Sequence, residues 1–171
     1  CFYLGTLLLR MIPPAVLVVP IYVLWSYFGL TDTRLGLIII YVGLNLPFTI
    51  WVLISFIADV PVELEEAAVV DGCGPWRIFF TVILPLIKPG LAAAAIFTFR
   101  IAWNEFILAL VLTNRMTRTL PVATTIYLTD TGVEWGNITA MGTLVALPAI
   151  IFTFIAAKQL IAGLTAGAVK G

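Results

Sequence analysis

Five carboxylates, Asp59, Glu63, Glu65, Glu66 and Asp71, fall within thirteen residues, with no Lys or Arg among them. They are five of only nine acidic residues in a chain of 171. The chain has no His, so neither an imidazole base nor a His-containing metal site can be built. Its two cysteines, Cys1 and Cys73, are too far apart for a CxxC motif or a disulfide framework. Cys73 reads as a small filler in a turn, and no metal site is expected. A second polar group, Arg100, Asn104 and Glu105 with Trp103 among them, interrupts an apolar run. Asn45 beside Pro47 is a third. Ionisable groups in such a run face the interior of a helix bundle or a water-filled path.

The elements that must hold these residues are apolar. The chain is 62% hydrophobic and 11% charged, with a mean hydropathy of +1.14. Soluble domains run at roughly 45–50% apolar and about 25% charged. The fold class expected is therefore an all-α polytopic membrane protein. Nine basic residues balance nine acidic ones, which leaves no basic stripe to neutralise nucleic acid.

A crossing helix takes about 20 apolar residues, and four stretches fit. They are residues 2–30, bent near Pro13; 36–58, free of charge; 90–112, which carries the Arg100 group; and 138–161. Connections at 59–89 and 113–137 and a tail at 162–171 complete the chain. Four spans place the 59–89 loop and the tail on one side and 113–137 on the other. Lys and Arg divide four against three between the sides, apart from Arg10, so the positive-inside rule does not orient the protein.

The 59–89 loop reads as a helix–turn–helix. Asp59 can cap the first helix, Pro61 suits its first turn, and Glu63 lies near the positive end of its dipole. Gly72 should end that helix and Pro75 start the next, before Pro85 and Pro89 break the chain. Two readings of the acids stay open: a solvated face on an interfacial helix, or a docking element for a basic soluble partner. Anionic headgroups repel an acidic interfacial helix, and Glu66-Ala67-Ala68 sets a charge beside a smooth surface suited to a cleft. Helix geometry places Arg100 and Asn104 on one face and Arg100 and Glu105 about 140° apart, against a salt bridge between the last two. Trp103 could stack on a flat apolar ligand face or pack. Asn45 could line a path or repair the Pro47 break.

Glu66, Ala67, Ala68, Gly72, Val82, Leu84 and Pro85 stand at the spacing of the EAA signature of permease subunits in binding-protein-dependent ABC importers, with Val82 where Ile is usual. "NLPFTIWVL", "AIFTFRIAWNEFILALVLT", "RTLPVA", "EWG" and "GLTAGAVKG" also occur here. Together these strings resemble the sugar-importer branch, and within it the second permease of maltose-type importers. The resemblance covers essentially all of the chain and implies two further membrane helices ahead of Cys1.

The resemblance implies a permease subunit for a sugar or sugar-like solute, in the cell (inner) membrane of a prokaryote, that does no bond chemistry itself. The 59–89 loop would be a cytoplasmic coupling helix in the groove of an ATPase subunit. Its residues would be Glu65, Glu66, Ala67, Ala68, Asp71, Gly72, Leu84 and Pro85. Glu66 would pair with a basic residue, Ala67 and Ala68 would permit close approach, and Gly72 would make the turn. The partners implied are two ATPase subunits carrying ATP and Mg, a second similar permease, a solute-binding protein on the 113–137 side, and lipid. No cofactor would sit on this chain. Asn45, Arg100, Trp103, Asn104 and Glu105 are the candidates for the translocation path. The tail residues Gly163, Leu164, Thr165, Gly167 and Lys170 would reach toward the ATPase pair. Arg100 stands where the family usually has an apolar residue, which suits structural pairing or an anionic solute. The competing class is a channel or ion-coupled carrier, which has no ATPase to dock.

Overall fold

A computed structural model describes residues 12–130 and 132–168, with side chains as far as residue 154. Helix α1 (Pro14–Tyr27) begins with a proline, which suits a first turn that has no use for its N–H. Helix α2 (Arg34–Ala58) starts at Thr33, whose hydroxyl accepts the Gly36 N–H at 3.0 Å. The loop after it folds as α3 (Val62–Val70) and α4 (Pro75–Ile78), then a π-helical stretch Phe79–Ile83 and the short α5 (Leu84–Leu86). Next come α6 (Lys88–Trp103), α7 (Ile107–Leu112) and α8 (Leu120–Ala123). A 3₁₀ turn, Thr124–Tyr127, leads into β1 (Leu128–Thr129) and β2 (Gly132–Val133), antiparallel with Leu128 opposite Val133. Helix α9 (Trp135–Ala168) is the longest.

Helix α2 and the described part of α9, Trp135–Phe154, are each long and apolar enough to cross a membrane. Pro75–Leu86 and Lys88–Trp103 qualify only as a pair bent by 71°. The proline pattern accounts for that bend. Leu84 donates to the Phe79 carbonyl five residues back, just ahead of Pro85, and Pro89 sits in the first turn of α6. Helix α1, at 14 residues, covers about 21 Å, less than the hydrocarbon thickness. Residues 2–11 of the span expected there, with Cys1 and Arg10, lie outside the described residues. Large apolar side chains such as Trp51, Leu144, Ile151 and Phe154 are exposed, as they must be where lipid or another subunit replaces water.

Two expectations need correction. The helix expected over 90–112 is two pieces, α6 and α7, separated at Asn104–Phe106. Asp59 does not cap α3. It stands at the C-terminal end of α2, and α3 begins at Pro61 with no side-chain cap, because the fixed proline φ of -61° starts the turn by itself. Helix α9 itself runs on past Ile161, the expected end of the last span, through Ala168. Gly163, Leu164, Thr165 and Gly167 are described there as backbone only, and Lys170 lies outside the described residues.

Two contact regions hold the bundle. At one end Trp25, Leu37, Ile40, Leu108, Leu112 and Val122 form a buried cluster that joins α1, α2, α7 and α8. Asp32 in the α1–α2 turn fastens it: its N–H donates to the Leu112 carbonyl at 2.8 Å, and its carboxylate accepts from the Asn114 N–H at 2.8 Å and from the Thr117 hydroxyl. Along the bundle, α2 packs against α6, and α6 against α9.

Candidate functional site

The acidic loop forms a compact hairpin. Glu63 and Glu65 occupy the first turn of α3, where the helix dipole favours negative charge. The helix closes at Gly72, whose φ of 76° is one that residues with a Cβ rarely adopt. The Gly72 N–H donates to Val69 O at 3.0 Å and the Cys73 N–H to Ala68 O at 2.9 Å, the paired bonds of a Schellman ending. Glu63, Glu66, Ala67 and Asp71 are exposed and Glu65 is half-buried. Ala68 differs: it is buried where α3 meets α4, so its small side chain serves the hairpin's own packing and the open edge is Glu66-Ala67. Cys73 is half-buried in the turn. Leu84 and Pro85 form the return arm, Leu84 half-buried and Pro85 exposed.

The hairpin also presents Val70 and Trp76, 86% and 77% exposed, with Trp76 stacked on Phe80 at 6.5 Å. A reading centred on charge passes over them. The available signal was two large apolar residues flanking the polar turn "DGCG". Among the described residues no three of Cys, Asp and Glu converge as a metal site.

The intramembrane candidates fall into two groups. Glu105 lies at the break between α6 and α7 and makes that break stable. Its carboxylate accepts the N–H groups of Leu108 and Ala109 at 2.8 and 3.0 Å and the Tyr41 hydroxyl at 3.0 Å. Asn45 is buried, and its amide donates to Tyr41 O at 2.8 Å. It does not reach the Gly43 carbonyl that Pro47 leaves without its helical donor. Glu105, Asn45 and Tyr41 line one cavity of about 200 Å³, with Leu44, Ile101 and Ala102. Trp103 faces a neighbouring cavity of about 340 Å³ with Tyr41, Phe99 and Thr119. Its indole N–H donates to Val145 O at 3.0 Å and its ring stacks on Phe99 at 5.4 Å, which ties α6 to α9.

Arg100 and Asn104 are exposed on the other side of α6. They share an open groove with Ala146, Ala149 and Thr153 of α9, and the Asn104 amide donates to the Arg100 carbonyl at 2.8 Å. The structure thus separates Arg100 from Glu105, and the guanidinium forms no ion pair among the described residues. Tyr41 and the Thr49–Thr98 hydroxyl pair, 3.0 Å apart, are polar positions that sequence reasoning missed. Tyr41, Asn45 and Thr49 recur every four residues, a stripe visible in the sequence.

Apolar helices joined by a carboxylate-bearing hairpin, with a polar cluster at a helix break, define a multi-pass helical membrane protein. The particular family is equally plain: the chain belongs to the binding-protein-dependent transport system inner membrane components, whose profile matches residues 1–165. The chain is 42% identical to a probable ABC transporter permease, y4oR, of Sinorhizobium fredii, over 97% of its length and 62% of that protein's. It is 41% identical to the diacetylchitobiose uptake permease DasC of Streptomyces coelicolor, over 99% of this chain and 62% of the other. Identity to the trehalose transport permease SugB of Mycobacterium tuberculosis is also 41%, over 98% and 62%. The chain therefore spans 62% of the length of these curated relatives. The fold is shared with a chain of the inward-facing MetNI methionine ABC transporter, at a TM-score of 0.72 and 19% identity, over 92% of this chain and 72% of that one.

Proposed function

We propose that this chain is part of a permease subunit of an ATP-driven importer for a sugar or sugar-like solute. The observation that carries the reading is the exposed Glu66-Ala67 edge of a rigid hairpin between two membrane helices. A closed Schellman turn, exposed acids and two exposed apolar side chains suit a soluble protein groove better than a headgroup layer. The relatives named for trehalose and diacetylchitobiose uptake support a carbohydrate as solute.

On this reading the chain crosses a prokaryotic cell membrane four times, and the hairpin and the C-terminal end face the cytoplasm. Two ATPase subunits, carrying ATP and Mg, dock on this chain's hairpin and on that of a second permease. A solute-binding protein meets the 113–137 side. The permease does no bond chemistry: nucleotide binding favours one of its two states and shifts the population. Asn45, Trp103 and Glu105 lie toward the path. Arg100 and Asn104 meet a group outside this chain, on the partner permease or on an anionic solute.

The test is co-purification of the complete tagged gene product from native membranes, wild type against Glu66→Lys. An ATP-binding subunit retained by wild type and lost or weakened by Glu66→Lys is the expected result. Wild type that retains no ATPase in mild detergent overturns the coupling reading and favours a carrier that works without one.

A further inference from the structure

Arg100 is the one charged side chain of α6 beyond its first turn, and no acidic side chain of this chain can answer it. All nine acidic residues stand elsewhere. Asp59, Glu63, Glu65, Glu66 and Asp71 belong to the hairpin and its approach, and Asp32 is held at Asn114 and Thr117. Asp130 and Glu134 lie ahead of α9, where Glu134 accepts from the Asn137 amide. Glu105 is taken up by three donors on the opposite side of α6. Depth sharpens the question of what meets Arg100. It lies 12 residues past Lys88, roughly 18 Å of helical rise, and as many residues again lead to the end of α7 at Leu112. Both headgroup layers are then beyond the reach of a snorkelling side chain. A charge at that depth faces a protein group or a water-filled path.

The groove beside Arg100 has the room and the chemistry of a ligand site. Its volume is about 490 Å³, where small-molecule sites run at roughly 300–1,000 Å³. Ala146 and Ala149 keep it wide, while α6 and α9 stay packed through Phe99 against Phe152 and the Trp103 indole on Val145 O. Arg100 and Asn104 supply polar groups, and exposed Ile150 and Phe154 supply apolar surface. A guanidinium fork matches a carboxylate. The Asn104 amide, set by its 2.8 Å bond to the Arg100 carbonyl, suits a neighbouring hydroxyl, and the apolar wall suits the C–H face of a sugar ring. The geometry points to an acidic sugar as the occupant of this groove, its carboxylate on Arg100. A carboxylate fixed on the second permease is the competing partner. Such a permanent pair adds little stability, because desolvation offsets the attraction, and it gives the space beside Ala146 and Ala149 no occupant. The inference rests on the importer reading and narrows its solute to sugars that bear a carboxylate.

The test uses the complete transporter in liposomes at low salt, with Ala146→Cys in a background free of other cysteines. Two methanethiosulfonates, one bearing a sulfonate and one a trimethylammonium, label that thiol, and the ratio of their rates is compared with the ratio for 2-mercaptoethanol. An unpaired Arg100 should favour the anionic reagent by about tenfold, as a unit charge a few ångströms away implies at an intermediate dielectric. Arg100→Lys should keep the preference, and Arg100→Gln should return the ratio to that of 2-mercaptoethanol. Excess glucuronate should slow labelling several-fold with Arg100 in place and not with Arg100→Gln, while glucose should do neither. A ratio that matches 2-mercaptoethanol with Arg100 present and falls below it with Arg100→Gln reveals a carboxylate on the partner permease and overturns the proposal. Failure of both reagents to label closes the groove to water and overturns it as well. Equal protection by glucose and glucuronate, or none by either, overturns the acidic sugar. The labelling needs no ATP hydrolysis, so a complex that labels as expected but never hydrolyses ATP overturns the importer reading and leaves the anion site standing.

Discussion

Glu105 gathers three donors onto one carboxylate, and each donor would otherwise be stranded. The Leu108 and Ala109 N–H groups are first-turn donors of α7 with no helical acceptor, and the Tyr41 hydroxyl sits between two packed helices. A hydrogen bond to an ionised group contributes about 1.5–3 kcal/mol, and a buried donor left unpaired costs about 1–3 kcal/mol. Tyr41→Phe should therefore destabilise the folded subunit by about 1.5–3 kcal/mol, and Glu105→Ala by more, since it orphans all three donors. The two changes share a bond, so their effects should fall short of additivity by at least 1 kcal/mol. Unfolding of the purified subunit in graded detergent measures the cycle, and additivity within about 0.5 kcal/mol would refute the bond.

At the scale of elements, the turn between α1 and α2 is fastened to the loop after α7 by Asp32. The Thr117 hydroxyl and then the Asn114 N–H hold its carboxyl below the usual carboxylate range, against a small opposing effect of desolvation. A depressed folded-state pKa adds stability that is present above the unfolded value and lost as pH falls through the folded one. The protection factor of the Asn114 amide, its exchange rate relative to an unfolded chain at the same pH, should accordingly be high at pH 7 and should fall as pH drops below about 4, the ordinary aspartate range. In Asp32→Asn that acid step should disappear; a step that survives the substitution assigns it to another group. None of this clamp was legible in "LTDTRLG", because both partners lie more than eighty residues away. By contrast, the hairpin's stop at Gly72 and restart at Pro75 were readable, since they rest on local backbone chemistry. The break at 104–106 was not. "AWNEF" holds neither glycine nor proline, and only a carboxylate able to cap the next helix, held by Tyr41 from α2, makes a break there stable.

For the whole molecule the basic residues do not favour either face, and the chain carries its own probe of sidedness. Cys73 lies half-buried in the hairpin turn, and Met116 is 84% exposed in the loop beyond α7. A single crossing by the bent pair Pro75–Leu86 with Lys88–Trp103, which together are long and apolar enough for it, would place them on opposite faces. With Cys1 replaced by Ser, a membrane-impermeant maleimide should label Cys73 in inverted vesicles and spare it in right-side-out ones. With Cys73 also replaced by Ser, Met116→Cys should show the reverse. Labelling of both positions from one side would mean that the 71° bend is re-entrant: the chain would dip into the bilayer and return. The hairpin would then share a face with the 113–137 loop, and the expected division between ATPase and solute-binding protein would fail. Opposite labelling makes the bent pair a full crossing and leaves the hairpin on the face where an ATPase could reach it.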